Sequence, residues 1–388
     1  MIQADRVSRT FRPLVVLGTR PEAIKLCPVI EALRERPEVD VTVCSTGQHR
    51  EMLDQVLSYF GIRPDIELSL MRPGQTLAGV TAAAIERLDA VLREATYDAI
   101  VVQGDTTTVM AAAMVAFYHR RPIVHVEAGL RTGDLMAPWP EEFNRRVAGI
   151  VTTLHCTPTE AAAAALRAEG VAEDDIRVTG NTVIDALARA VATERDRQGH
   201  WHSAYPMVRP GSPLVLITGH RRENFGGGLQ SICAAIAACA REHPDASFVY
   251  PVHLNPNVRE PVHEFLGRSK NVHLVEPADY RAFVWLMDRA DVVLTDSGGV
   301  QEEAPSLGAE ILVTREKTER PEAIDAGLAK LVGTDETKIR DQLDQALQRS
   351  KTRGPKPSDA PLRANPYGDG KAAARIVDWM LQRLVPPQ

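Results

Sequence analysis

The sequence lacks several features that would assign it to a broad class of proteins. No run of about 18 apolar residues occurs among its 388 residues, so no membrane-spanning helix is predicted. The net charge is −6, which argues against a nucleic-acid-binding body because neutralising phosphates requires a basic face. Residues 1–12 are polar and contain no apolar stretch of a signal peptide, so we expect a short disordered extension there.

Common metal and cofactor motifs are also missing. The five cysteines have no metal-type spacing and are odd in number, and no His-Glu-x-x-His motif is present. We therefore expect no bound metal, and we expect reduced thiols in the cores of a cytoplasmic protein. Neither a Gly-x-Gly-x-x-Gly fingerprint nor a Walker A loop is found, so nothing in the sequence indicates a dinucleotide cofactor.

What the sequence does contain is a repeated alternation of short apolar runs with helical segments. A chain of this length is too long for one typical domain, and such alternation is typical of doubly wound parallel sheets. Predicted strands are 14–17, 39–45, 98–103, 122–126, 214–218, 247–250, 291–295 and 311–313. Predicted helices include 76–95, 106–119, 229–242, 280–289, 335–348 and 371–384, whereas 192–213 and 351–366 are predicted to be irregular.

These segments predict two Rossmann-like domains, residues 13–185 and 186–366, after an extension at 1–12. Residues 367–388 contain a last helix that we expect to pack back on the first domain. Distinctive polar residues follow the predicted strands in both halves. Ligands of open α/β sheets bind outside the carboxyl ends of the strands. Two such sets therefore suggest two sheets that face one cleft, with an anionic ligand between them.

In the first half, the turn Gly18-Thr-Arg-Pro-Glu-Ala-Ile-Lys25 combines glycine, a helix start and two cations. A helix N-terminus offers free N–H groups to an anion, and Arg20 and Lys25 add charge. An ordinary strand-to-helix turn with surface charges remains the alternative. The candidate carboxylates are Asp105, Glu127, Glu141 and Glu142, grouped around the ends of central strands, where burial favours acid/base work. Helix capping is the alternative for Asp105 and Glu141.

In the second half, the segment Asp296-Ser-Gly-Gly-Val-Gln-Glu-Glu303 carries the stronger signal. Two glycines that open a helix after a strand form a nest of N–H groups for phosphate oxygens. Glu302 or Glu303, one turn further, is suited to accepting hydrogen bonds from sugar hydroxyls. A tight turn with a capping serine is the alternative. His220 follows another strand end beside two arginines, where phosphates would bind.

Together these turns resemble one family, the non-hydrolysing UDP-N-acetylglucosamine 2-epimerases of bacteria. The resemblance runs from about Leu14 to the last helix. It rests on the segments 18–25, 47–53, 104–108, 126–133, 219–223, 295–308, 318–322 and 365–370. It implies a glycosyltransferase-B-like fold of two Rossmann-type domains, and a homodimer. It also implies that UDP-N-acetylglucosamine and UDP-N-acetylmannosamine interconvert without a cofactor, by elimination of UDP to a 2-acetamidoglucal and re-addition.

The resemblance also implies roles for particular residues. The catalytic set would be Lys25, Asp105, Glu127, Glu141 and His220. Substrate-binding residues would be Arg20, Phe283, Ser297, Gly298, Gly299, Glu303 and Arg320. Within the catalytic set we expect the carboxylates of Asp105 and Glu127 to share acid/base work, with Glu141 either orienting them or completing the proton path. Three other functions remain open on the residues alone: a hydrolysing epimerase, a glycosyltransferase, and a non-catalytic nucleotide-sugar sensor.

Overall fold

The computed structural model describes residues 10–47, 50–71, 74–219, 221, 224–354, 356–357 and 359–385, with only the backbone of residues 50 and 51. The chain forms two compact units. The first unit consists of the chain up to Ala186 and of the C-terminal segment from Tyr367 onwards, and the second unit comprises Leu187–Pro366. Residues 1–9 of the predicted N-terminal extension, and His220, lie outside the described residues, whereas Phe11 of that extension is buried and pairs with Val39.

The first unit contains a parallel sheet of seven described strands in the order β3-β2-β1-β4-β5-β6-β7. The strands are β1 Pro13–Leu17, β2 Thr42–Ser45, β3 Ile66–Glu67, β4 Ala99–Gln103, β5 Ile123–Val126, β6 Leu154–Thr157 and β7 Ile176–Val178. The helices are α1 Arg20–Arg34, α2 Arg50–Tyr59, α3 Leu77–Glu94, α4 Thr107–Tyr118, α5 Glu141–Val151, α6 Glu160–Ala168 and, after the chain returns, α15 Ala372–Leu384.

The second unit contains a parallel sheet of six described strands in the order β10-β9-β8-β11-β12-β13. The strands are β8 Leu214–Thr218, β9 Ser247–Pro251, β10 Val272–Val275, β11 Val292–Thr295, β12 Glu310–Val313 and β13 Ala329–Leu331. Helix α7, Thr182–Arg195, crosses from the first unit into the second. The other helices are α8 Gln198–Ala204, α9 Gly227–Glu242, α10 Pro256–Leu266, α11 Tyr280–Arg289, α12 Gly298–Glu303, α13 Pro321–Asp325 and α14 Glu336–Arg353.

The central strands explain why helices cover both faces of each sheet. β1, β4 and β5 are buried at every position, so both of their faces need an apolar cover. Helix α4 carries apolar side chains around most of its circumference and is itself largely buried. The predicted fold class, two α/β domains built on doubly wound parallel sheets, is confirmed.

The C-terminal segment returns to the first unit and is fixed there by hydrogen bonds. The backbone N–H of Asn181 donates to Tyr367 O at 2.7 Å. The Asp185 carboxylate accepts from the N–H groups of Ala373 at 2.8 Å and Ala372 at 3.2 Å, at the start of α15. The segment thus lies against the turn that joins β7 to α7.

Two segments predicted to be irregular contain helix instead. Within 192–213, α7 continues to Arg195 and α8 occupies Gln198–Ala204, because Trp201 is buried and its Nε1 donates to Glu194 Oε2 at 2.9 Å. Packing of one aromatic side chain thus overrides a polar composition. Helix α14 also extends beyond its predicted end to Arg353, and Gly354, with a φ of 78°, ends it.

The five cysteines are buried and form no disulfide. Burial raises the pKa of Cys44, Cys233 and Cys239 to about 12, so these thiols stay protonated and inert. Of the helices in the described part of the chain, none is both long enough and apolar enough to cross a bilayer.

Candidate functional site

The candidate site of the first unit forms where the adjacent strands β4 and β5 end. Gln103 and Val126 are register partners in the two strands, so Asp105 and Glu127 emerge at the same sheet edge. Gly104 makes the turn after β4 with a φ of 80°, and its N–H donates to Val126 O at 3.1 Å. Parallel pairing therefore brings together two carboxylates that lie 22 positions apart in the sequence.

Glu127 is the most constrained residue of this edge. It is a non-glycine residue with a φ of 62°, a conformation that persists only where the surroundings impose it. Its carboxylate is buried and accepts from three side chains: Lys25 Nζ and Asn181 Nδ2 on Oε1, the latter at 3.0 Å, and Gln103 Nε2 on Oε2. An ammonium and two amides thus hold a buried negative charge in one orientation.

Asp105 is held differently and is more accessible. Arg145 Nη2 donates to its Oδ2, and Asn144 Nδ2 donates to its backbone carbonyl at 3.0 Å. The side chain is 26% exposed, and within the described ranges no donor lies on Oδ1. One oxygen of Asp105 is therefore anchored and the other is available to a substrate.

Helix α5 begins with two adjacent glutamates that differ in burial and in hydrogen bonding. Glu142 is fully buried and accepts from Thr132 N at 3.1 Å, Arg145 Nη1 at 3.2 Å and Arg146 Nε at 2.9 Å, so it fixes the helix and Arg145. Glu141 is half-buried, and no hydrogen-bond donor to its carboxylate lies among the residues the structure covers. Of the two, only Glu141 has a carboxylate available for chemistry.

The turn Gly18–Lys25 is built around another buried carboxylate. Glu22 accepts from the N–H groups of Gly18 at 2.8 Å and Thr19 at 2.6 Å, and from Thr106 Oγ1 at 2.6 Å. Burial raises the pKa of Glu22. Gly18 is required because an added Cβ would collide with Thr46 Oγ1. Lys25 points from this helix to Glu127, and Arg20 is exposed.

His125, in β5, supports the turn that precedes Asp105. Its Nε2 lies 2.7 Å from Gly104 O, so the proton sits on Nε2 and is donated to that carbonyl. Burial lowers the pKa of His125 to about 4, and the same cause lowers that of His155, its register partner in β6, to about 4. Both imidazoles are therefore neutral at pH 7.

The candidate site of the second unit lies at the ends of β8 and β11. The hydroxyls of Thr218 and Thr295 are 2.6 Å apart, and Ser297 N donates to Thr295 Oγ1 at 3.0 Å. The Asp296 carboxylate accepts from Arg221 N at 2.9 Å, so it links the ends of β8 and β11. Hydroxyls and backbone N–H groups line this edge.

Arg320 completes the second site from the turn before α13. Its guanidinium packs on Gly298, where an added Cβ would lie 3.0 Å from Arg320 Cζ. Its Nε donates to Glu302 Oε1 at 2.7 Å, so Glu302, a buried residue, orients the arginine. Glu303 is only half-buried and lies near Gly299.

Phe283 lies on α11, half-buried. The structure therefore groups the predicted site residues into two sets, one at each sheet edge. Lys25, Asp105, Glu127 and Glu141 belong to the first unit, with Lys25 on Glu127. Ser297, Gly298, Gly299, Glu303 and Arg320 belong to the second. No group of three His, Cys, Asp or Glu side chains suited to a metal was found in the described residues.

Sequence reasoning missed the residues that hold these groups: Gln103, Arg145, Asn181, Glu22 and Asp296. Gln103 is the only polar residue of the run Ala99–Gln103, and Asn181 lies in the Thr179-Gly-Asn-Thr182 turn. Each is a polar side chain at or near a strand end, and this pattern indicates a buried group that needs a hydrogen-bond partner. Arg145 carries no such signal, because its partner Asp105 lies 40 positions away.

Two parallel α/β sheets whose strand ends carry carboxylates in one unit, and a glycine-opened helix with an arginine in the other, define a glycosyltransferase-B-like protein. A family model described as UDP-N-acetylglucosamine 2-epimerase matches residues 31–381. The chain belongs to this family, whose members are isomerases of the non-hydrolysing type, and the resemblance predicted from the motifs is confirmed.

Individual relatives are similar over nearly the full chain. The UDP-N-acetylglucosamine 2-epimerase of Escherichia coli K12 is 50% identical over 372 residues, which are 95% of this chain and 98% of that protein. The crystal structure of the Neisseria meningitidis enzyme bound to UDP-GlcNAc is 44% identical, with a TM-score of 0.86 and coverage of 96% and 100%. The Methanocaldococcus jannaschii enzyme in complex with UDP-GlcNAc and UDP is 31% identical, with a TM-score of 0.76 and coverage of 96% and 100%.

Proposed function

We propose that the chain interconverts UDP-N-acetylglucosamine and UDP-N-acetylmannosamine by inverting carbon 2, without hydrolysis and without a cofactor. The observation that carries the proposal is the set of anchored carboxylates at the β4–β5 edge, in a chain that belongs to this family. A protein that only bound the nucleotide sugar would have no need of several carboxylates placed near a diphosphate.

The reaction follows from the weak acidity of the proton on carbon 2. In the forward direction the C2–H bond breaks while the C1–O bond to UDP breaks, and a double bond forms between C1 and C2. A base takes the proton and UDP leaves with the electron pair of the C1–O bond. UDP then adds back to C1 of the 2-acetamidoglucal while C2 receives a proton on its other face. Atoms and charges balance without an oxidant.

The first unit supplies the proton-transfer groups in this proposal. Asp105, with one oxygen anchored and one available, is suited to exchange a proton with the sugar. Glu127 shares that work, held in orientation by its three donors, and Glu141 completes the proton path. Lys25 balances the charge of Glu127 and stabilises the departing diphosphate together with His220.

The second unit, with Arg20, holds the nucleotide in this proposal. The N–H groups of Gly298 and Gly299 at the start of α12 and the hydroxyl of Ser297 donate to the diphosphate, and Arg320 adds its positive charge. The Glu303 carboxylate, half-buried and beyond these glycines, accepts from the ribose hydroxyls. Phe283 packs beside the uracil.

Assembly and cellular role follow from the same resemblance. We infer a homodimer in the cytoplasm that supplies UDP-N-acetylmannosamine for the synthesis of surface polysaccharide containing N-acetylmannosamine. Large apolar side chains are exposed at the ends of two neighbouring helices of the first unit: Phe117 and Tyr118 on α4, at 58% and 65%, and Ile150 on α5, at 82%. Exposed apolar patches of this kind mark protein interfaces.

The proposal is tested by following purified protein and UDP-N-acetylglucosamine by ³¹P and proton NMR, with no acceptor and no cofactor added. We expect UDP-N-acetylmannosamine to appear until equilibrium, with no accumulation of UDP. Stoichiometric release of UDP and free N-acetylmannosamine would replace the proposal with a hydrolysing epimerase. An unchanged spectrum would point to a glycosyltransferase or a sensor.

A further inference from the structure

The buried turn between β7 and α7 lies on the catalytic edge but has no role in the function proposed above. Asn181, in this turn, is 2% exposed, and its Nδ2 donates to Glu127 Oε1 at 3.0 Å. Its neighbour Gly180, with a φ of 89°, allows the chain to reverse there. One amide of this turn therefore reaches past β6 to the carboxylate that directly follows β5.

Three further hydrogen bonds lock Asn181 in place. Its Oδ1 accepts from Val183 N at 3.0 Å, which caps the first turn of α7. Its backbone N–H donates to Tyr367 O at 2.7 Å, and its carbonyl accepts from Ile184 N at 3.1 Å. Both ends of the side-chain amide and both backbone groups are therefore engaged, so the amide cannot rotate without breaking the α7 cap.

The C-terminal segment holds the turn from outside. An added Cβ on Gly180 would lie 3.4 Å from Tyr367 O and from Gly368 Cα, so the two backbones are in close contact. The start of α15 is fixed to Asp185, four residues after Asn181. The position of Asn181 thus depends on a segment that lies almost 190 residues further along the chain.

We propose that Asn181 is a positioning residue for Glu127, and that the docked C-terminal segment sets its place. The inference rests on the proposed function, because it assigns a task to Asn181 only if Glu127 acts on substrate. Asn181 and Lys25 donate to one oxygen of Glu127 and Gln103 donates to the other, so Asn181 adds a directional donor that helps to fix the rotation of the carboxylate about its last bond. Misplacing a reacting group by about 1 Å can cost a hundredfold in rate.

The chain offers a variant that separates positioning from folding. Asn181→Asp keeps an oxygen to cap Val183 N but replaces the amide donor with a carboxylate that faces Glu127. We expect kcat for epimerisation to fall by about 10²-fold, with KM changed by less than about threefold, because positioning acts on the reacting geometry. The matched control is Asn271→Ala in the second unit, which removes an amide bonded to three carbonyls and contacts no site residue.

A double-mutant cycle distinguishes positioning from a general structural role. If Asn181 acts through Glu127, then Asn181→Asp added to Glu127→Gln should lower kcat by less than about threefold further, since residues acting as a unit are not additive. Independent, multiplicative losses would overturn the proposal, and so would wild-type kcat in Asn181→Asp. An inactive wild-type chain would overturn the proposed function and this inference together, whereas an active wild type with an unchanged kcat in Asn181→Asp would overturn the inference alone.

Discussion

The two units share a topology but carry different chemistry at the same place in the fold. In both, polar residues follow the central strands of a parallel sheet. The first unit places charged groups there and pairs them, as in Glu127 with Lys25 and Asp105 with Arg145. The second unit places glycines, hydroxyls and one arginine there, at the start of a short helix. In the proposed function, one architecture therefore supports bond-breaking in one unit and anion binding in the other.

The two sites also differ in which residues restrain their geometry. In the first unit, side chains from α1, β4 and the β7–α7 turn converge on one carboxylate, so the geometry depends on the whole sheet. In the second, the restraint is local, since Gly298 and Arg320 touch and Glu302 orients Arg320. Changes in the first unit should therefore affect turnover, and changes in the second should affect affinity.

The largest effect is expected for Asp105→Asn in the first unit. The amide cannot exchange the proton on carbon 2, so kcat should fall by about 10³-fold or more while UDP binding persists. Turnover by NMR and UDP affinity by calorimetry measure the two quantities. Asp335→Asn, at the exposed N-cap of α14, is the control and should leave both unchanged. Normal turnover in Asp105→Asn would remove Asp105 from the acid/base set.

A smaller effect, on UDP affinity and not on turnover, is expected for Gly298→Ala in the second unit. The added Cβ would lie 3.0 Å from Arg320 Cζ and displace the guanidinium, which should weaken UDP binding by about tenfold, or about 1.4 kcal/mol. The value of kcat at saturation should be nearly unchanged. Gly227→Ala, which also adds a methyl at a helix start but meets no neighbour within 4 Å, is the control. A loss of kcat with unchanged affinity would contradict the division between the units.

Acid should weaken the first unit through its two buried imidazoles. Their pKa of about 4 lies below the ordinary 6.5, so the unfolded chain binds protons first as the pH falls, and stability present above pH 6.5 is lost down to pH 4. The loss should reach about 3 kcal/mol for each histidine. Hydrogen exchange of β5 and β6 between pH 7.5 and 4 measures this loss, and His155→Leu should reduce its pH slope by about half. In the second unit, His273 has a lowered pKa but is less buried. Equal acid sensitivity of the two units would contradict this account.

The smallest effect on catalysis is expected for Ile150→Asp on α5. A charge in the exposed apolar patch of Phe117, Tyr118 and Ile150 should break the proposed homodimer, because burying an unpaired carboxylate is unfavourable. Light scattering after size exclusion should show the mass halved, with the fold retained by circular dichroism. Leu254→Asp, in the second unit at 59% exposure, is the control and should leave the mass unchanged. A dimer that survives Ile150→Asp would place the interface elsewhere.

The sequence predicted the central strands of both sheets because each carries a local signal, whereas the outer strands β3, β6, β7, β10 and β13 were not predicted. Helix α11 and strand β8 begin and end as predicted, since an apolar run bounded by polar residues defines them. The helix at 198–204 was missed because Trp201 packs on Trp285, 84 positions away. The predicted carboxylates lie at the strand ends, yet their donors Arg145 and Asn181 come from other elements. Such partners depend on tertiary contacts that no local pattern encodes.

The central claim is that the carboxylates of the first unit move the proton on carbon 2 of a UDP-linked sugar. The most direct measurement is proton NMR of UDP-N-acetylglucosamine with the wild-type protein in D₂O. The account predicts deuterium at carbon 2 of both epimers, with no deuterium incorporated by Asp105→Asn. Epimerisation that retains the original hydrogen at carbon 2 would contradict it.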